Sequence, residues 1–415
     1  MAKAIIIGGG VIGLSSAYYL KKSGWDVTVI DQSDFSDNCS YGNAGYVCPS
    51  HFIPLASPGI IQQGLRWMLN PESPFYIQPR LNWPLIDWGL KFAKSATAKH
   101  VNDSAIPLRD AALISQRCYE ELTTVPGFDF AYEHKGLFEY FLTKEKAADG
   151  HELVEKALSL GLDTVYMEAD EVQALEPQTK LNIQGAVLFK CDSHLYPNKL
   201  MKSLLNWMQQ NNVTLLPNEK VNNFEKSNGN ITKVITDKAV YDCDTVIVAA
   251  GSWSREVAAL VNLKLPLMPG RGYSVTLENS PYKLNYPAIL VEGRVAVTPM
   301  DGNKIRFGGT MEITSINRPP QINRVKGILN AVKKFLPEFT IPLPDINDVW
   351  YGYRPCSPDG MPYIGRLKNI NNCIVATGHA MIGLSLGAGT GKLVSEIANE
   401  QTSSMDLSAF NPERF

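Results

Sequence analysis

The sequence predicts a mixed α/β and α+β protein. One domain is built on a parallel sheet flanked by helices. A second, discontinuous along the chain, is built on an antiparallel sheet. Three observations predict this. The chain opens on an apolar strand, Ala4 to Ile7, then Gly8, Gly10 and Gly13 at G-x-G-x-x-G spacing, then an apolar-periodic run from Leu14. Two more strand-to-turn units with small residues lie far downstream, at Gly251 and at Gly378 to Gly383. Residues 273–313 hold several short strand-like runs separated by Gly, Pro and Asn. At 415 residues the chain exceeds one ordinary core, so two domains are expected.

The opening unit is Rossmann-like and each part has a physical reason. Gly8 permits a tight turn, Gly10 lets backbone approach a pyrophosphate, and Gly13 lets helix and strand pack closely. Val11 and Ile12 begin the helix, whose free N–H groups and positive dipole end suit phosphate. The second strand, Val27 to Ile30, ends on Asp31 and Gln32. Asp31 is placed to accept from a ribose diol, and an acid there disfavours the 2′-phosphate of NADP. This unit alone leaves NAD and FAD both open.

From Val47 to Lys99 the texture changes to dense prolines and aromatics, including Pro54, Trp67, Phe75, Trp83 and Trp88. The expectation is a long irregular segment that walls a pocket. Periodicity predicts helices over 105–125, 144–160, 198–209, 325–335 and 390–399. Strands are expected over 136–142, 213–216, 221–224, 231–236, 245–250 and 373–376. Asn228-Gly229-Asn230 reads as a hairpin turn.

Composition excludes several classes. A net charge of −2 gives no global case for nucleic acid. Seven cysteines without a C-x-x-C pair suggest neither a disulfide framework nor a zinc site, so no metal is expected and a reducing cytosol fits. The apolar N-terminus is short and broken by glycines, which favours a strand over a signal peptide. No stretch approaches the roughly 20 apolar residues of a spanning helix.

Glycine turns near both ends of the chain suit a cofactor lying extended through the fold, which favours FAD over a nicotinamide. Three motifs then carry a resemblance: Ser40-Tyr41-Gly42-Asn43-Ala44-Gly45, Val248-Ala249-Ala250-Gly251-Ser252-Trp253-Ser254, and Trp350-Tyr351-Gly352-Tyr353-Arg354-Pro355 running on to Gly365. From Ala4 to about Asn399 the chain resembles the FAD-dependent D-amino acid dehydrogenase group of the D-amino acid oxidase, glycine oxidase and sarcosine oxidase superfamily. The resemblance implies a Rossmann-like FAD domain of the glutathione-reductase type over 1–58, 150–262 and 350–415. It implies a substrate domain over 59–149 and 263–349.

It also implies roles. Gly8 to Gly13 and Asp31 would hold the ADP half of FAD. Ser40, Asn43, Ala44 and Gly45 would lie along the pyrophosphate and flavin, Val221 would meet the adenine, and Ala250 and Gly251 would pass beside the cofactor. Gly378, His379, Met381, Ile382 and Gly383 would aim a helix N-terminus at the flavin carbonyl, where negative charge develops on reduction. Arg354, in a G-x-R-P setting, would bind the substrate carboxylate bidentately. Arg271 in Pro269-Gly270-Arg271-Gly272-Tyr273 is either a second cation near the flavin or a structural one. Tyr273 and Tyr351 either lend hydroxyls to the carboxylate or pack. His51 either contacts a polar group of substrate or is a hydrogen-bonded structural histidine. Gly352 aligns with the position at which some relatives attach FAD through cysteine, and Cys356 is off register, so non-covalent FAD is expected.

The expected function is oxidation of a D-amino or cyclic imino acid, of the D-alanine, D-proline or D-hydroxyproline class. Hydride passes from the α-carbon to flavin N5, giving an imino acid and then a 2-oxo acid with ammonia. The reduced cofactor passes electrons to a quinone or to oxygen. The resemblance favours the quinone, and with it a cytoplasmic protein in peripheral contact with the inner face of the cell membrane. The rival readings are a glycine- or sarcosine-type amine oxidase that releases peroxide, and a non-catalytic flavin-binding electron-transfer module. The sequence leaves enantiomer and oligomeric state open.

Overall fold

The computed structural model describes residues 1–68 and 70–415. A six-stranded sheet runs in the order Tyr363–Arg366, Cys373–Thr377, Thr245–Val248, Lys3–Ile7, Asp26–Ile30, Thr214–Leu216. Its pairings are parallel except the first, which is antiparallel. The central strands are covered on both faces, which is why they read as apolar runs rather than alternating ones. On one face lie the helices Val11–Lys22, Ala98–Thr123 and Gly387–Ala398, in a core containing Val11, Leu14, Tyr119 and Ala388. On the other lies a three-stranded sheet, Val221–Ser227, Asn230–Thr236 and Val240–Asp242, packed through Phe224, Ile231 and Val234 onto Ile5, Ile7 and Val248. The expected hairpin turn is present. Asn228 and Gly229 have φ of 50° and 75°, the two positive values that a type I′ turn needs.

The second sheet has nine strands. Its main path is Trp350–Cys356, Met268–Leu277, Lys304–Ile313, Val295–Met300, Ala288–Leu290, Leu137–Phe141, Gly185–Phe189, Thr164–Glu168. Phe75–Ile77 adds beside Lys304–Ile313. Most pairings are antiparallel, and the helix Ile322–Phe335 covers one face through Val325, Ile328, Val332 and Phe335.

Sheet membership departs from the expected division of the chain. Residues 164–168, 185–189 and 350–356, expected with the nucleotide-binding domain, are strands of this second sheet. The sequence Gly185-Ala186-Val187-Leu188-Phe189 is buried throughout and needs partners on both edges, which 137–141 and 164–168 supply. Conversely, Ala98–Thr123, expected with the substrate domain, packs its Ile114, Cys118, Tyr119 and Leu122 into the core of the parallel sheet. The segment expected as irregular contains two helices, Ile60–Met68 and Trp83–Ser95, around the strand Phe75–Ile77. The second helix starts where Asn82 Oδ1 caps the Leu85 N–H at 3.0 Å, with Pro84 in the first turn.

Among the described residues, no helix is long and apolar enough to cross a membrane.

Candidate active site

A cavity of about 1100 Å³ extends from the opening glycine turn to the second sheet. At its first end, Gly8 has φ of +114°, and a Cβ there would stand 2.4 Å from the carbonyl oxygen of Ala249, so only glycine fits between the two neighbouring strands. Asp31 is held by three donors: Gly9 N–H at 2.6 Å, and Ser33 N–H and hydroxyl at 2.7 Å each. Asp31 lines the cavity, and one acceptor site on Oδ2 is left over. Ser40 Oγ accepts from Val11 N–H at 3.0 Å, so its hydroxyl stands at the N-terminus of the first helix. The 40–45 loop is pinned from the second sheet, where Arg306 Nη1 donates to the carbonyls of Tyr41 and Asn43 at 2.8 Å.

The cavity then passes Ala250 and Gly251 and reaches Met381, Ile382 and Gly383. Val221, Gln32, Ile12, Gly10 and Ala44 also line it. Gly13, Gly45 and Gly378 stand behind the wall; a Cβ on Gly13 would meet the carbonyl of Gly8 at 1.9 Å, the close helix–strand approach expected of it. His379 lines the cavity but is almost fully buried. Its Nε2 pairs with Thr390 Oγ1 at 3.0 Å, and its Nδ1 has no partner among the described residues. Burial pulls its pKa down to about 3, so the ring is neutral. An orphaned ring nitrogen, a phosphate-compatible helix start and an acid at the ribose position together fit a dinucleotide that carries polar groups at both ends.

At the far end, Arg354 rises from the strand Trp350–Cys356. Gly270 pairs with Arg354 on the neighbouring strand, and the guanidinium lies diagonally over Gly272, where a Cβ would stand 2.2 Å from either terminal nitrogen. The absence of a side chain at Gly272 is therefore what gives the guanidinium its place. Arg354 Nη1 donates to the carbonyl of Thr310 at 2.6 Å, and no carboxylate lies within ion-pair distance among the described residues. Burial lowers its pKa, yet a guanidinium stays charged at any working pH. A half-buried cation facing a cavity without a counter-charge is costly unless a ligand supplies one.

Arg271 contrasts with it. It is fully buried and does not line the cavity. Its Nε and Nη2 donate to Glu312 Oε2 at 3.0 and 2.8 Å, and its remaining donors go to the carbonyls of Arg318 and Pro319. The structure thus places it in a sealed ion pair with Glu312 and not at the cavity wall. Tyr273 lines the cavity, but its hydroxyl donates to Glu312 Oε2 at 3.0 Å and accepts from Gln321 N–H at 2.9 Å. Tyr351 lines the cavity, is 39% exposed, and keeps its hydroxyl free among the described residues.

His51 lines the cavity at the end of the turn Cys48-Pro49-Ser50-His51. That turn is fixed by Asp192, which accepts from Ser50 N–H at 3.1 Å and from the Ser50 hydroxyl at 2.5 Å. Ligand atoms of Cys48, His51 and Asp192 lie within 4.8 Å of one another. Both carboxylate oxygens are already engaged by Ser50, so the cluster anchors the turn. Burial pushes the His51 pKa down to about 4, leaving a neutral ring.

Among the cavity residues that escaped the sequence reading, one carries an isolated acid. Glu139, in Leu137-Phe138-Glu139-Tyr140-Phe141, faces the cavity without a hydrogen-bond partner among the described residues. Burial, and secondarily the charge of Asp192, push its pKa to about 7. The signal was a single charge in an otherwise apolar strand. The native state holds this proton to higher pH than an unfolded glutamate does, so its contribution to stability is full at low pH and is lost as pH rises from about 4.5 through about 7. Glu139→Gln is therefore expected to raise the melting temperature by a few degrees at about pH 8 and to leave it unchanged at about pH 4. Equal shifts at both values would contradict the buried-carboxylate account.

The family described as FAD dependent oxidoreductase matches residues 3–397. The chain belongs to that family. It is 31% identical to a D-amino acid dehydrogenase of Helicobacter pylori, over 98% of each chain. It is 28% identical to a D-amino acid dehydrogenase of Vibrio vulnificus, over 97% of each. Among solved structures, it superposes on a glycine oxidase from Geobacillus kaustophilus with a TM-score of 0.77 and 21% identity, covering 100% of both chains. It superposes on an L-proline dehydrogenase from P. horikoshii with a TM-score of 0.76 and 17% identity, covering 100% of this chain and 97% of that one. The protein is an FAD-dependent oxidoreductase, and its fold is the one shared by these flavoenzymes.

Proposed function

We propose that the protein oxidises a D-amino or cyclic imino acid, of the D-alanine, D-proline or D-hydroxyproline class, and that Arg354 is its carboxylate anchor. The observation that carries this reading is the half-buried guanidinium, seated over Gly272 and bonded to Thr310 in the cavity wall, with no acid within ion-pair distance among the described residues. The dehydrogenase relatives support the class of substrate.

In this reading Gly8, Gly10, Val11, Asp31, Ser40, Ala250 and Gly251 hold FAD non-covalently. Gly352 supports that mode, since it lines the cavity without a thiol while Cys356 is buried against Met311. When bound, FAD supplies the acceptor, at N5, for the hydride leaving the substrate α-carbon. The chain contributes placement. Arg354 fixes the carboxylate in both position and plane, and the free hydroxyl of Tyr351 is available to it. His51 and His379 are neutral, so neither adds a positive charge that would compete for the carboxylate. The imino product leaves as such or hydrolyses to a 2-oxo acid and ammonia. Electrons then pass to a quinone in preference to oxygen, as the dehydrogenase names of the relatives support.

The test is an anaerobic screen of D- and L-amino acids against the yellow holoenzyme, followed by reoxidation with oxygen or with a soluble quinone. Bleaching by D-alanine, D-proline or D-hydroxyproline, with faster reoxidation by the quinone, is the expected outcome. Bleaching by glycine or N-methylglycine alone, with peroxide released, would replace this reading by an amine oxidase.

A further inference from the structure

A second guanidinium meets the cavity without an acid beside it. Arg294 lines the cavity, and its side-chain hydrogen bond among the described residues goes to a neutral group: Nη2 donates to Gln63 Oε1 at 3.3 Å. The guanidinium stands over the Trp67 ring, 5.0 Å from its centroid. Arg294 and Arg354 approach one strand from opposite sides. Arg354 Nη1 donates to the carbonyl of Thr310, while the carbonyl oxygen of Arg294 stands 3.4 Å from where a Cβ on Gly309 would be. Val295, the next residue, pairs with Gly309.

Arg294 holds this place at a backbone cost. It ends the turn between Ala288–Leu290 and Val295–Met300 with φ of 49°, a left-handed conformation that glycine adopts freely and arginine does not. Such a residue persists where its surroundings fix it. The turn is pinned by Glu292, whose Oε1 accepts from Leu142 N–H at 3.0 Å, from Thr143 N–H at 2.9 Å and from the Thr143 hydroxyl at 3.0 Å. The acid nearest to Arg294 in sequence is thus engaged just beyond the strand Leu137–Phe141, which carries Glu139. Glu139 itself lies across the same face of the sheet. It pairs with Ile289, Ile289 with Ala296, and Ala296 with Gly308, and all four line the cavity. The floor between Glu139 and the strand that meets Arg354 therefore bears no polar side chain. Glu139 and Arg294 form no ion pair, yet each acts on the other. Burial is the main influence on both pKa values, and the opposite charge counters it in each.

We propose that Glu139 and Arg294 form the side-chain subsite of the substrate and that they select a hydroxyl. Ionised Glu139 needs a donor and Arg294 needs an acceptor, and a hydroxyl is both. A second carboxylate suits Arg294 but faces Glu139, and an ammonium suits Glu139 but faces Arg294, so a charged side chain meets a like charge in either case. A bare hydrocarbon leaves both groups desolvated without a partner. The proposal rests on Arg354 as the carboxylate anchor. It adds that, among D-alanine, D-proline and D-hydroxyproline, the hydroxylated ring is the one that engages both ends of the floor.

The experiment is anaerobic reduction of the FAD-loaded holoenzyme by D-proline and by each diastereomer of D-hydroxyproline, in wild type, Glu139→Leu and Arg294→Gly. The second variant removes the guanidinium at a φ that glycine adopts without strain, so the turn keeps its shape. The quantity read is the ratio of flavin-reduction rate constants, hydroxylated ring over plain ring, taken within each protein so that a general loss of activity cancels. Wild type is expected to favour one diastereomer by about tenfold or more, and each variant to bring the ratio to about one. Glu139→Gln, which keeps an acceptor, is expected to fall between. A wild-type ratio of about one, or a preference that survives both substitutions, would overturn the subsite and leave the carboxylate anchor standing. Faster reduction by D-glutamate or D-lysine than by either ring would overturn it as well, by assigning the pair to a charged side chain. Flavin that stays oxidised with every one of these amino acids would overturn the substrate reading, and the subsite with it.

Discussion

Arg354→Ala is expected to lower kcat/KM for the amino acid by about 10³-fold, with FAD retained. A buried, charge-assisted pair that loses one partner costs about 2–5 kcal/mol, and about 4 kcal/mol is a thousandfold. The loss should be expressed in KM and in kcat together, because the guanidinium both binds the carboxylate and sets the orientation of the α-carbon. Arg354→Lys is expected to recover only part of the activity. An ammonium supplies charge but not the planar fork, and it lacks the shape that lies over Gly272. Flavin absorbance of the purified variants checks that the cofactor end of the cavity is intact. Steady-state kinetics indistinguishable from wild type would remove Arg354 from the site.

The second large effect is on stability. Glu312→Ala is expected to destabilise the protein by about 3–5 kcal/mol, seen as a lower midpoint in chemical denaturation. Glu312 accepts through one oxygen from Arg271 Nε, from Arg271 Nη2 and from the Tyr273 hydroxyl, all in a region sealed from solvent. Burial opposes the charge on Arg271, and Tyr273 and Glu312 hold it in place. Without Glu312, a cation and a hydroxyl remain buried with too few acceptors. The double change Arg271→Leu/Glu312→Leu should recover most of the loss, because the cost lies in the stranded charge rather than in the missing pair. A single Glu312→Ala variant as stable as wild type would contradict this.

The two arginines show how far the sequence could be read. Arg271 and Arg354 both stand within two residues of a glycine in an aromatic strand, and local sequence does not separate them. What separates them is a residue about forty positions away. Glu312 faces Arg271 in register across the strand pair, and no acid faces Arg354. The opening turn was legible because its glycines, helix and acid are local. The hairpin at Asn228 was legible for the same reason. The small strand Phe75–Ile77 was not, since it exists only by pairing with Met311–Ile313. The assignment of 164–168 and 185–189 to the second sheet is likewise a long-range pairing. Glu139 was visible as an odd charge in an apolar strand, but only the fold shows that the strand faces the cavity.

The central claim is that this cavity brings a carboxylate-bearing amine to FAD through Arg354. Its most direct test is anaerobic mixing of the wild-type holoenzyme with D-proline and, separately, with pyrrolidine, which has the same ring and amine but no carboxylate. Loss of the oxidised flavin spectrum with D-proline, and none with pyrrolidine at the same concentration, is the predicted result. Bleaching by both at equal rates, or by neither pyrrolidine nor any amino acid, would contradict it.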